Sequence, residues 1–524
     1  MQTLPPTPDE PLLLHGDCLD VLARLPDACV DVVITDPPAG IGFMAKPWDS
    51  FANYQPRTPN GRDIAARLGA DDLIRRAANL LLGLALSERT EGLPAREDAA
   101  ALAAALRERA KAPAPLPPWA GGFVAFMADV WSEVDRVLKP GGWVCSWALP
   151  KTADLAGLAL RAVGWDVHDS LLHLFGQGMA KAGDLGKKID KAAGAEREVV
   201  GSKAGTPGYS LAESKGSNVY QDGIGGSGDP EIECQITAPA TPEAERWTDW
   251  SSQLAPGHEQ WLLARKPTRL TYARQVLAHG TGALNIGACR VPRGEADRER
   301  IETAVSQGAG IFASEYTYGD GGRVAYALPG GGSWPKNVVL SEGGEGCPVA
   351  ELDRQGRAAG AHSAGAAQSP DGLKPSSGSI VTSNAPALDH VKPRRHGDDG
   401  GVSRFFTRFR YQAKNDDRGA GLREDIRNEH PTPKSVEFMR WLVALLAAKA
   451  EHTGGLPALV LDPFLGSGST GVACVAERVR FIGIERDDGS FEVARSRILT
   501  AIGSPELAAE AAATAPAGSQ LSLL

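Results

Sequence analysis

The 524-residue chain is 42% hydrophobic and 23% charged with a formal net charge of −9, a composition typical of soluble globular proteins and long enough for two or three domains. The longest apolar run near a helix, Trp441–Ala448, is too short to cross a bilayer, and the opening residues MQTLPPTPDE carry neither the basic nor the apolar block of a signal peptide. Seven dispersed cysteines form no CxxC pair, so a membrane span, a secreted fate and a zinc site are not expected; the reading is a cytoplasmic protein with reduced thiols and no metal.

In chain order, an apolar run from residue 11 leads through a polar break to a strand, Val30–Thr35, which Asp36-Pro37-Pro38 stops, because proline cannot continue a hydrogen-bonded ladder. Residues 61–112 are rich in Ala, Leu and Arg at helical spacing and read as an inserted helical hairpin. A helix over 123–138 ends at Lys139-Pro140-Gly141-Gly142, then come a strand, Trp143–Leu149, and a helix over 153–163. Strands alternating with helices predict a parallel α/β sheet. Residues 176–420 are rich in Gly, Ser and Pro, and 355–403 are apolar-poor enough to expect partial disorder. Within this middle, Trp261–Pro267 reads as a strand leaving the sheet. A helix resumes at Ser435–Lys449, followed by strand Ala458–Asp462, a glycine loop, helix Ser469–Glu477, strand Arg480–Glu485 and helix Phe491–Ile498. An Ala-rich tail from Ser504 is expected to fray.

The expected architecture is one doubly wound, Rossmann-like α/β sheet built from both ends of the chain, with an inserted irregular α+β domain. The expected boundaries are 11–175 for one half, with the helical insert at about 55–118, 176–420 for the inserted region, 421–503 for the second half and 504–524 for the tail.

Two motifs carry chemistry. The loop Asp462-Pro463-Phe464-Leu465-Gly466-Ser467-Gly468 follows a strand and opens a helix, and Glu485 ends the next strand, 19 positions after Gly466, as a ribose-binding carboxylate would. A nicotinamide-binding loop is the rival, but such a loop starts with glycine at the strand end to seat a pyrophosphate. The acidic start here suits a ligand with an amino group and no phosphate. Asp36-Pro37-Pro38 lies just past the carboxyl end of a strand, where open α/β sheets bind ligands.

Together these motifs resemble the amino-methyltransferases of DNA, of the permuted type in which the catalytic motif precedes the cofactor motif. The resemblance runs through Gly16-Asp17-Cys18, Leu25-Pro26-Asp27, Asp36-Pro37-Pro38, Leu138–Gly142, His430-Pro431-Thr432-Pro433-Lys434, the loop 462–468 and Gly483-Ile484-Glu485. It implies S-adenosyl-L-methionine as cofactor, double-stranded DNA as partner and a methyl group transferred to the exocyclic amino group of a flipped base. It further implies that Asp36 and the Pro37 carbonyl accept from the target amino group, with Pro38 completing the catalytic motif. Asp17 would contact the cofactor's adenine, Glu485 its ribose, and Thr432 and Lys434 its methionine end, with Asp462, Phe464, Gly466 and Gly468 of the loop also binding the cofactor. The family carries an aromatic residue right after the prolines to stack on the base; here it is Ala39, which makes Phe43 and Trp48 the candidate substitute faces.

Asp36, where cytosine enzymes more often have Ser, tilts the target toward adenine N6. The alternatives left open are cytosine N4 and a catalytically degenerate module that binds cofactor and DNA. Arg246–Trp250, Trp334–Asn337 and Arg404–Arg408 are candidate DNA contacts, although each tryptophan taken singly reads as core packing. No nuclease or helicase motif is present, so restriction would need another chain; monomer and homodimer stay open.

Overall fold

The computed structural model describes residues 6–40, 49–68, 116–176, 184–204, 233–252, 254–294, 332–344, 346–362, 401–410 and 433–503. These fall into two compact units. The larger comprises 1–173, 178–289 and 412–524, and the smaller 174–177 and 290–411.

Among the described residues, the larger unit holds strands β1 (Leu12–His15), β2 (Val30–Thr35), β3 (Leu138–Ala148), β4 (Asp166–Leu174), β7 (His258–Arg265), β10 (Leu459–Asp462) and β11 (Arg480–Glu485), side by side in the order β1-β11-β10-β2-β3-β7-β4. Every neighbouring pair from β1 to β3 is parallel, and β7 runs antiparallel to β3. The strands read as they do because both faces are covered: β2, Val-Asp-Val-Val-Ile-Thr, is buried at all six positions, the near-continuous apolar pattern of a parallel sheet. Its one charge, Asp31, accepts from Lys139 Nζ at 2.6 Å and from the Leu459 backbone N–H at 2.7 Å, and so ties β2 to β3 and β10.

Helices pack on this sheet. α1 (Cys18–Leu22) is N-capped by Asp17. α2 (Pro59–Leu68) is followed by α3 (Pro118–Val137), which buries Phe123, Met127, Trp131 and Val134 on one face, the three-to-four spacing of an amphipathic helix. Asp129 of α3 is fully buried and accepts from Tyr54 Oη, the Arg57 and Thr58 backbone N–H groups and the Thr58 hydroxyl. α4 (Ala153–Ala162) follows β3. A smaller layer contains α5 (Leu185–Ala193), the antiparallel pair β5 (Val199–Ala204) and β6 (Glu233–Thr237), and α6 (Pro242–Arg246). α7 (Tyr272–His279) follows β7. In the smaller unit, the parallel pair β8 (Val338–Glu342) and β9 (Thr407–Arg410) accompanies α8 (Pro348–His362). α9 (Val436–Leu446), the short α10 (Ala450–Thr453), α11 (Ser469–Ala476) and α12 (Asp488–Ile502) complete the larger unit.

The doubly wound α/β sheet read from the sequence is present, with β10 from one end of the chain beside β2 from the other. Three local expectations are corrected. Trp261–Pro267 does not leave the sheet: β7 lies between β3 and β4, and Trp261 is fully buried, because Trp-Leu-Leu-Ala suits a strand covered on both faces. Leu138–Gly142 belongs to β3 rather than to a helix end and turn; Pro118 at the first helical positions starts α3 earlier than expected, and a register shift opposite Val30–Val32 takes up the Pro-Gly-Gly segment. α8 runs to His362, so the first residues of the stretch expected to be disordered are helical. The rest of that stretch up to residue 400, most of the helical insert and the tail lie outside the described residues. Among the described residues no helix is long and apolar enough to cross a membrane.

Candidate functional site

From β10 the chain continues through α11 to β11 on one side, while β2 leads through α3 to β3 on the other. The carboxyl ends of β10 and β2 therefore flank the switch point of the sheet, where such folds open a crevice. A buried hydrogen bond joins the two ends: Thr35 Oγ1 donates to Asp462 Oδ1 at 2.6 Å. Asp462 Oδ2 accepts from Thr470 Oγ1 at 2.6 Å, and the Phe464 N–H donates to Oδ1 at 3.1 Å. With 2% exposure, this carboxylate acts as a latch between the strands and the loop.

Burial raises the Asp462 pKa from its ordinary 3.8 to about 6, with the two threonine hydroxyls and the Phe464 amide opposing the rise. A carboxyl whose pKa is raised by folding contributes stability in full below the unfolded value and loses it as pH climbs through the folded value. The wild type should therefore lose stability relative to Asp462→Asn between about pH 4 and pH 6, in urea titrations run at each pH. A difference between the two proteins that does not change with pH would contradict this.

The loop after Asp462 is built on two left-handed glycines, Gly466 at φ 52° and Gly468 at φ 84°. A Cβ at Gly468 would lie 2.9 Å from Ala494 Cα, so close packing on α12 requires glycine there as well. Arg497, 2% exposed, donates to the Ser467 carbonyl at 2.7 Å and to the hydroxyls of Ser467 and Ser469. Glu485 closes the loop: its Oε2 accepts from the Gly466 N–H at 2.8 Å, and its Oε1 from the Arg486 and Asp487 N–H groups at 2.9 and 2.8 Å. Burial pushes the Glu485 pKa up against these three donors. The Gly16 N–H donates to the Glu485 carbonyl at 2.8 Å, which brings Asp17 beside the same strand end. Asp17 accepts from the Leu19 N–H and from Arg57, each at 3.1 Å.

On the other side of the latch, Asp36 leaves β2 with Pro37 buried behind it. Lys434 Nζ lies 3.0 Å from Asp36 Oδ2 and 3.8 Å from Glu259 Oε1 of β7, and 4.2 Å over the ring of Trp147 of β3. Burial alone would lower the Lys434 pKa; Asp36 and Glu259 outweigh it and hold the ammonium charged. His173 of β4 stacks on Phe438 at 4.7 Å, and burial lowers its pKa. The turn after the prolines is fixed by Thr152 Oγ1 donating to the Ala39 carbonyl at 2.8 Å and by the Gly40 N–H donating to Asp49 Oδ1 at 2.5 Å.

The structure thus gathers Asp17, Phe464, Gly466, Gly468 and Glu485 with the loop, and Asp36, Pro37 and Lys434 across the latch, with Asp462 joining them. It sets Lys434 against Asp36, where the resemblance implied the methionine end of the cofactor. Phe43, Trp48 and Thr432 lie outside the described residues. Glu259, Trp147, His173 and Thr35 were not singled out from the sequence; the only signal was a charge, Glu259, opening the apolar run of β7. The core-packing reading of the middle tryptophans is corrected for three of them: Trp247, Trp250 and Trp334 are exposed at 44%, 59% and 60%. Lys187, Lys188 and Lys191 are exposed on α5.

The sequence model of the DNA methylase family, N6_N4_Mtase, matches residues 366–496, a quarter of the chain. No curated protein matches the sequence. Among solved structures, the chain is similar to the M1.HpyAVI–SAM complex at 12% identity and a TM-score of 0.30, covering 93% of this chain and 98% of that one. It is similar to the cytosine-N4-specific PvuII DNA methyltransferase at 10% identity and a TM-score of 0.33, covering 93% and 85%. TTHA0409 of Thermus thermophilus, complexed with S-adenosyl-L-methionine, matches at 14% identity and a TM-score of 0.29, covering 94% and 95%. Residues 366–496 carry a match to the DNA methylase family N6_N4_Mtase.

Proposed function

We propose that the protein methylates adenine N6 in double-stranded DNA, with Asp36 and the Pro37 carbonyl as the groups that hold the target amino group. The observation that carries this reading is the Lys434–Asp36 contact at 3.0 Å: Asp36 already accepts from a nitrogen at the strand end across the latch from the glycine loop. An aromatic amine is a poor nucleophile because its lone pair is delocalised into the ring. Accepting its N–H bonds from one side frees that lone pair toward the methyl carbon, so positioning and electrostatics supply most of the rate. S-adenosyl-L-methionine would supply the methyl group and leave as the thioether, and Asp36 Oδ or water would take the proton that leaves the target nitrogen.

The donor set suits the cofactor. Glu485 and Asp17 are acceptors for hydroxyl and amino groups. S-adenosyl-L-methionine supplies a methyl group already activated on sulfonium, so the chain needs no metal. Among the described residues no cluster of His, Cys, Asp or Glu could hold one. The middle segment is read as the target-recognition region, and its exposed aromatics with Arg246, Arg404 and Arg408 as DNA contacts. Action on DNA goes with a cytoplasmic location in this proposal.

Two measurements test it. S-adenosylhomocysteine should raise the melting temperature by mass action, and NAD should not. Incubation with unmethylated DNA, digestion to nucleosides and mass analysis should yield N6-methyladenine. N4-methylcytosine instead would move the target to the alternative base, and no methylated nucleoside would leave a module that only binds cofactor and DNA.

A further inference from the structure

Ala39 deprives the strand-end motif of an aromatic side chain, yet an aromatic face stands beside Asp36 from another strand. Trp147 lies near the carboxyl end of β3 and is half-buried. The Lys434 ammonium sits 4.2 Å above its ring centre and 3.0 Å from Asp36 Oδ2. A cation settles over an indole only where the face of the ring is turned toward it. The Trp147 face and the Asp36 carboxylate therefore border one space, and a nitrogen with N–H bonds fills it. A base amino group held by Asp36, with its ring laid on the indole, would make the same two contacts.

The indole is carried by a strand and not by a loop. Trp147 pairs with Trp261 across β3 and β7, and Trp261 is buried against Phe438 of α9 at 5.5 Å. The Trp147 Nε1–H is buried and has no acceptor among the described residues. The ammonium also has somewhere to go: Glu259 Oε1 is 3.8 Å away on the neighbouring strand.

We infer that Trp147 is the surface on which the flipped base stacks, that the Lys434 ammonium holds the base's place until it arrives, and that Glu259 retains the ammonium afterwards. This rests on the proposed role of Asp36. It offers an aromatic face, carried on a strand, for the one missing at 39; Phe43 and Trp48 lie outside the described residues.

The test is methylation of unmethylated plasmid DNA with tritium-labelled S-adenosyl-L-methionine, alongside calorimetric affinity for S-adenosylhomocysteine. Trp147→Leu should lower kcat/KM roughly tenfold or more, the size of one base–aromatic stack, with cofactor affinity unchanged. Trp147→Phe should keep most of the activity, and Trp147→Met serves as the non-aromatic variant if the leucine protein does not fold. A non-aromatic variant within about twofold of wild type, or a Phe variant no better than it, overturns the stacking role. An Asp36→Asn protein as active as wild type, or an inactive wild type, overturns the underlying reading as well. A dead Asp36→Asn beside a fully active Trp147→Leu removes the stacking role alone.

Discussion

Asp36→Ala should reduce methyl transfer by about 100- to 1000-fold, the loss seen when one preorganised hydrogen-bonding group is removed from a reacting centre. Two effects combine. The target nitrogen loses the acceptor that shapes its lone pair, and Lys434 loses the nearer of its two carboxylates. Cofactor affinity should hold, because Asp36 lies across the Thr35–Asp462 latch from Glu485 and the glycine loop. The measurements are single-turnover methylation and calorimetric titration with S-adenosylhomocysteine. A variant that turns over at close to the wild-type rate would remove Asp36 from the chemistry. A variant that also loses the cofactor would mean that the two sides of the crevice are not separable.

Glu485→Ala should act on the other side and on the fold at once. Its carboxylate accepts three backbone N–H groups, from Gly466, Arg486 and Asp487. Hydrogen bonds to charged groups are worth about 1.5–3 kcal/mol each and do not add fully, so a loss of about 3 kcal/mol in urea unfolding is expected. Gly466 would be released from strand β11, and the loop would no longer be preorganised. Cofactor affinity should therefore drop at least about tenfold, or roughly 1.4 kcal/mol. Glu485→Gln, which keeps one acceptor oxygen, should recover part of the stability and less of the affinity. An alanine variant with unchanged unfolding and unchanged affinity would show that the loop is held by Arg497 and the glycines alone.

Much of this site was legible because its residues sit in short contiguous patterns. A strand that stops at Asp36-Pro37-Pro38, and a loop of acid, proline and two glycines, announce strand ends by backbone chemistry alone. Gly468 had to be glycine for a local reason, its positive φ, that sequence reading can anticipate. Trp147 and Glu259 belong to a different class. Each is ordinary on its own strand or turn, and only the order β2-β3-β7 brings them to one place. β7 reads differently in the structure because its place in the sheet depends on tertiary pairing with β3 and not on its own sequence. The exposed tryptophans were misjudged for a similar reason: a large apolar side chain is usually buried, and nothing in its neighbours along the chain shows that the fold leaves it outside.

The Thr35–Asp462 hydrogen bond spans 427 positions of sequence. Until β10 has been synthesised and docked, β2 presents an unpaired edge that other strands can join. Closing so long a loop adds little to the equilibrium cost, which grows only with the logarithm of its length. The burden falls on the rate, because parallel pairing between distant segments is slow. Newly made chains should therefore pass through a state in which β3 and β7 are already paired while β2 waits. Expression at lower temperature, or with a chaperone that shields strand edges, should raise the yield of active protein more than it would for a sheet wound in simple chain order.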